Sequence, residues 1–208
     1  MLKAEKIKTY GWGDAIRGMR NPMNSWDMMD SITYAFDGKV EIGKNDLALM
    51  TKLVKAGTDH RKFLRMIVVC MDITAPLYWW KEYDTYKVGT VANSCSTMHK
   101  ITAKEFRMDD FSHEHLCGTA VTALCHVVNI LNLYRALYLG ESDPAVKKEH
   151  WWQLIQLLPS SYNQKRTVML NYEVLRNIYH ARKNHKLDEW KGLCAMIELL
   201  PYFEVLIA

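Results

Sequence analysis

Three segments of this chain hold the residues best suited to chemistry. Tyr78-Trp79-Trp80-Lys81-Glu82-Tyr83-Asp84-Thr85-Tyr86-Lys87 crowds aromatic rings among cations and carboxylates, and Asn93-Ser94-Cys95-Ser96-Thr97-Met98-His99-Lys100 follows with amide, hydroxyl and cationic groups. Stacking surfaces beside such groups suit a planar, phosphorylated ligand. The same composition also describes a buried aromatic ridge followed by a solvated polar loop, and composition alone does not separate the two. In the third segment Asn171, Leu175, Ile178, Arg182 and Lys186 fall roughly along one face of a helix. An arginine on a helix is ordinarily a solvated charge, so Arg182 acquires a role only if something besides its helical position singles it out.

Other chemistries find less support. His113-Glu114-His115 with Cys117 has the residue types of a zinc site, but no matching Cys or His pair lies at usable spacing elsewhere to complete four convergent ligands. The expectation is no metal, and a polar loop leading into the apolar helix that follows. The sequence contains no G-x-G-x-x-G, no phosphate loop, no nucleophile elbow and no H-E-x-x-H, so the common nucleotide-binding and hydrolase signatures do not apply.

The elements that must position these segments read as a mixed α/β (α+β) chain in which helix dominates over a small sheet. Residues 1–44 read as irregular, with a β-hairpin signal where Asp37-Gly38 separates SITYAF from KVEIG. Asn45-Asp46 opens a helix that Gly57 ends, and MIVVCMDI reads as a buried strand. Pro76 leads a helix through LYWWKEYDTYK, whereas the polar stretch from Thr90 to Lys100 has no clear assignment. Cys117 to Leu139 is the most apolar helix, stopped by Gly140, and Asp143-Pro144 opens another that Pro159 breaks. Helices from about Lys165 to Lys183 and from Asp188 to Leu200 complete the reading.

With 208 residues, no repeat and no linker, the expectation is one domain over residues 1–208. The formal charge of +4 is too small for the basic stripe of a duplex-binding protein, so an anionic small molecule is the expected partner and nucleic acid is not. Five widely spaced cysteines suggest free thiols in a reducing cytoplasm, and the N-terminus has no apolar run of signal-peptide length. The stretch Leu116–Tyr134 is uncharged, yet Thr119, Thr122, His126, Asn129 and Asn132 interrupt it, which favours a buried helix over a bilayer span.

The order and spacing of several landmarks resemble the flavin-dependent thymidylate synthases, the ThyX family. Leu158-Pro159, Asn171, Arg182 and a terminal amphipathic helix stand where that family has the same features. Gly57, His60, MIVVCMDI, Pro76 and Asn93-x-x-Ser96 are similar to its Gly-His element, its strand, its Pro-led helix and its motif R-H-R-x-x-S-x-N-E-x-S-x-R. The likeness covers about residues 45–207, with an echo near Arg17 and Arg20. It departs within the motif: one register puts Tyr86, Lys87 and Val88 at Arg-His-Arg and Met98 at the last Arg, and sliding by one puts Thr85, Tyr86 and Lys87 there instead. Only Lys87 keeps a cation in that group, and Arg61, Lys62 and Lys100 are the available substitutes. Leu187-Asp188-Glu189-Trp190 replaces the A-Q-x-E-I element that follows the late Arg.

The resemblance implies a single ThyX-like domain assembled as a homotetramer, using FAD, dUMP, methylenetetrahydrofolate and NADPH to make dTMP in a bacterial, phage or other viral setting. It implies that Arg182 is the catalytic residue that polarises the pyrimidine. Lys87, Asn93, Ser96, His99, Lys100, Asn171 and Arg182 would bind substrate, and His60, Trp80, Tyr86, Lys87 and Asn93 would bind cofactor. Losing two arginines from a phosphate clamp removes charge-assisted hydrogen bonds worth about 1.5–3 kcal/mol each. This leaves open a nucleotide-binding protein without catalysis and, with less weight, a viral interaction protein.

Overall fold

The computed structural model describes residues 2–34 and 39–208. Strand β1 (Lys3–Tyr10) and helix α1 (Trp12–Arg20) open the chain, followed by the short strands β2 (Ile32–Thr33) and β3 (Val40–Glu41) and helix α2 (Lys44–Lys55). Next come β4 (Val68–Pro76), α3 (Leu77–Tyr83), β5 (Val91–Ser94) and α4 (Thr97–Lys100). Helices α5 (Thr119–Gly140) and α6 (Pro144–Leu157) precede β6 (Asn163–Asn171), and α7 (Tyr172–Arg182), α8 (Asp188–Glu198) and α9 (Phe203–Leu206) end the chain. Four strands form one sheet in the order β1-β4-β6-β5. The mixed, helix-dominant class is thus as the residue patterns indicate.

Strand β2 pairs antiparallel with β3, Ile32 opposite Glu41 and Thr33 opposite Val40, as the hairpin signal requires. The Asp37-Gly38 turn itself lies outside the described residues. Two expectations are corrected. The first forty residues hold a strand and a helix, because the alternation in KAEKIKTY is obscured by lysines of the kind that guard a sheet edge. Gly11 then turns the chain into α1 at φ 81°, where a Cβ would sit 2.1 Å from the Met66 carbonyl oxygen. The helix expected from Lys165 starts only at Tyr172: residues 163–171 form β6, with Val168 and Leu170 buried two apart, and Asn171 caps the helix by accepting the Val174 N–H at 3.0 Å.

The chain packs as two compact units. One comprises residues 74–84 and 94–166, centred on Ile101, Phe106, Phe111, Leu124, Val128, Leu131 and Leu154. Here Asn132 clamps Phe106 from both sides, accepting its N–H at 2.8 Å and donating to its carbonyl at 2.9 Å. Asp143 caps α6 by accepting the Ala145 N–H, which realises the Asp-Pro signal. Against expectation, α5 buries only a stripe of Leu124, Val128 and Leu131, while Ile130, Leu133 and Leu137 are exposed. By length and composition α5 could cross a membrane.

The other unit comprises residues 2–73, 85–93 and 167–208 and packs Trp12, Ile16, Met50, Ile67, Tyr172, Leu175, Trp190 and Ile197 to essentially zero exposure. Its buried ion pair joins Arg20 Nε to Asp46 Oδ1 at 2.7 Å, and Asp46 Oδ2 also accepts from the Asp30 N–H and from the Ser31 N–H and hydroxyl. A forked Arg61–Glu173 pair at 3.0–3.2 Å fixes the start of α7.

Candidate functional site

Helix α7 and the loop of residues 85–93 bring the best-formed polar site together. Arg182, at the last turn of α7, donates from Nε to the Tyr86 hydroxyl at 2.9 Å. Its guanidinium carbon lies 4.6 Å from the centre of the Trp190 ring and 5.7 Å from that of Tyr86. The two rings meet edge to face at 5.8 Å, and His185 borders Trp190 at 6.3 Å. The outcome is a half-buried planar cation oriented in part by the Tyr86 hydroxyl and the Trp190 ring face. A cation held this way is positioned to stabilise negative charge developing on a planar ligand without reorganising.

Asn171 is at the opposite end of the same helix, about 16 Å away at 1.5 Å per residue. Its side chain caps α7 and faces Gly89: a Cβ on Gly89 would approach Asn171 Nδ2 to 2.9 Å, at φ +74°. The loop therefore lies along α7, with Tyr86 near one end and Gly89 near the other. Lys87 and Asn93 are exposed on that loop and on β5.

His60 is exposed at the start of the 3-10 turn Arg61–Met66 and lines a cavity of about 750 Å³ between α1, α2 and that turn. Met19, Met23, Leu49, Leu53, Phe63 and Met66 supply its apolar walls. Lys62 is the fixed cation of the lining, and the carboxylate of Asp59 is in it too. This donor set fits a flat, largely apolar ring of flavin type and does not by itself fit a pyrophosphate. Arg61 is committed to Glu173 and so cannot replace a lost phosphate clamp.

The remaining expected residues belong to the other unit. Trp80 is corrected: it is wholly buried, packed edge to face against Trp79 and Tyr83, bonded from Nε1 to the Gln164 carbonyl at 3.0 Å and covered by the Arg166 guanidinium at 4.2 Å. No ring face remains for a cofactor. The aromatic ridge is, to that extent, core. Ser96 accepts the His99 N–H at 3.2 Å as the cap of the short α4, and His99 and Lys100 are exposed. Among the described residues no three His, Cys, Asp or Glu side chains are placed to hold a metal ion; His113 Nδ1 instead lies 2.8 Å from the Phe111 carbonyl.

Trp190 is the site residue that the pattern of the sequence did not reveal. It stands where the family's A-Q-x-E-I element is replaced, and a large aromatic eight residues beyond an Arg was the available signal.

A mixed, helix-dominant α/β chain with a small four-stranded sheet defines a fold class that solved structures share. The flavin-dependent thymidylate synthase ThyX of Helicobacter pylori, in a crystal structure complexed with FAD and dUMP, matches with a TM-score of 0.66 and 18% identity over 98% of each chain. A second structure of the Helicobacter pylori enzyme with FAD and dUMP gives 0.65 and 17% over 97% of each. The chain has the ThyX fold. No family model matches it, and no curated protein matches it by sequence.

Proposed function

We propose that this protein is a ThyX-like, flavin-dependent enzyme that binds a deoxyuridine nucleotide and transfers a one-carbon unit to C5 of its uracil. The Arg182–Tyr86–Trp190 cluster carries the reading, because it preserves an oriented guanidinium where the resemblance requires one, on a fold shared with a protein crystallised with FAD and dUMP. Arg182 polarises the pyrimidine, Trp190 and Tyr86 hold the guanidinium in place, and the exposed Lys87 with Asn93 faces the nucleotide. Bound flavin supplies the redox chemistry, with NADPH as reductant and methylenetetrahydrofolate as carbon donor; the cavity beside His60 holds the ring.

The phosphates need cations beyond those lining that cavity. A homotetramer, as the resemblance implies, shares its sites between subunits and supplies them. The exposed face of α5, with Ile130, Leu133 and Leu137 beside Ala123 and Ala136, is the surface that such an assembly covers. A soluble cytoplasmic oligomer accounts for this face without a membrane.

One observation favours a second reading, a nucleotide receptor without turnover: Tyr86, in the degenerate stretch, is already bonded to Arg182. An absorbance spectrum of the purified protein between about 300 and 550 nm, followed by titration with FAD and dUMP, separates the readings. Flavin bands that sharpen with dUMP support the enzyme; dUMP binding without flavin supports the receptor; neither overturns both.

A further inference from the structure

Within the unit of residues 74–84 and 94–166, a groove of about 650 Å³ lies where α4 meets the end of α5 and the start of α6. Its lining includes Met98, His99, Tyr138, Lys147, Lys148 and Trp151, with Pro144 at the rim. The volume is within the about 300–1,000 Å³ usual for small-molecule sites. Two lysines and a histidine line it and no carboxylate does, which sets it apart from the cavity beside His60.

Two of these groups are held in place. Lys147 Nζ sits 5.0 Å above the Tyr138 ring and donates to the Glu141 carbonyl at 3.2 Å. Trp151 donates from Nε1 to the Met98 carbonyl at 3.2 Å and abuts Trp152 edge to face at 4.9 Å, so its indole plane is fixed. A fixed indole beside Met98, flanked by two ammonium groups, is complementary to a flat ring carrying phosphate. We propose that this groove is a second nucleotide site, which takes a nucleoside monophosphate by stacking its base on Trp151 and pairing its phosphate with Lys147 and Lys148. His99 thereby serves this groove rather than the Arg182 cluster. The site is distinct from the flavin reading and stands if that reading fails.

The test is a titration of AMP, which lacks the uracil that Arg182 is expected to recognise, into the full-length protein, followed by tryptophan fluorescence and by calorimetry. Quenching is expected, with affinity reduced at least tenfold in the double variant Lys147→Ala/Lys148→Ala and in Lys148→Glu. Affinity unchanged in Arg182→Ala is also expected. Trp151→Phe should abolish most of the quenching while the charge contribution survives. Circular dichroism identifies any variant that fails to fold, and Lys148→Glu, at an exposed position, keeps the test open if another does. Equal AMP affinity in wild type and lysine variants overturns the proposal. So does inorganic phosphate binding as tightly as AMP, which would mean that the base contributes nothing. An oligonucleotide binding a hundredfold tighter than AMP would replace it with a single-strand site.

Discussion

At the residue scale, Arg182 does what a lysine could not. A guanidinium can lie flat on Trp190 while its Nε donates to Tyr86, whereas an ammonium is a point charge without a plane. On the proposed function, Arg182→Lys should therefore weaken dUMP binding about tenfold or more, since a charged hydrogen bond contributes about 1.5–3 kcal/mol, while thermal stability changes little. Isothermal titration beside a melting curve checks both parts. Gly89 is constrained twice, by φ +74° and by the 2.9 Å approach to Asn171. Gly89→Ala should cost about 1–2 kcal/mol in denaturant unfolding, and a cost near zero would show that the loop relaxes freely. Cys194 is a third case: burial pushes its thiol up to about 11, so in the native protein a thiol reagent should label exposed Cys95 and Cys117 at pH 8 and leave Cys194 unmodified until unfolding.

At the element scale, α5 shows how little a hydropathy profile says about where a helix is buried. Its inner stripe packs Leu124, Val128 and Leu131, while Ile130, Leu133 and Leu137 form an exposed apolar row. Leu133→Glu should shift the protein to a smaller species in sedimentation, because a carboxylate in a covered apolar interface would lose its hydration. An unchanged mass would show that α5 does not form the proposed subunit contact. Strand β6 teaches the converse. Val168 and Leu170 are buried two apart as a strand requires, but Met169 between them is apolar too and Leu170, Val174 and Ile178 fit a helical spacing equally well, so the periodicity is ambiguous across the boundary that Asn171 marks. Only pairing with β4 in the sheet resolves it.

At the scale of the whole molecule, stability should be greatest between about pH 6.5 and 9. Burial, aided by Arg176, holds the His180 pKa below its ordinary 6.5, so the unfolded chain takes up a proton first as pH falls and stability drops below that value. The Asp30 carboxyl, accepting the Asn45 N–H, is held below its ordinary 3.8; its contribution is present above that value and lost as pH falls through the folded one. On the alkaline side Cys194 is neutral in the folded protein up to about 11 while the unfolded thiol ionises near 9.0, so stability falls as pH rises between them. Burial likewise raises Tyr172 and Tyr83. Denaturant midpoints across pH 4–11 should trace this plateau. Asp46→Asn should cost about 3–5 kcal/mol at neutral pH, because it leaves the Arg20 charge buried without its counter-ion.

The sequence by itself determined the mixed class, the Asp143 cap and the buried strand after Gly57, because each follows from near neighbours along the chain: a helical or alternating period, an Asx cap, a β-branched run. It did not determine which arginine each buried aromatic ring would pack against. Trp80 and Trp190 are the same residue type among polar sequence neighbours, yet Trp80 closes a core under Arg166 and Trp190 lies under Arg182. That choice depends on contacts between residues about 80 to 100 positions apart, Trp80 with Gln164 and Tyr86 with Arg182, which no local pattern encodes and only tertiary packing can decide.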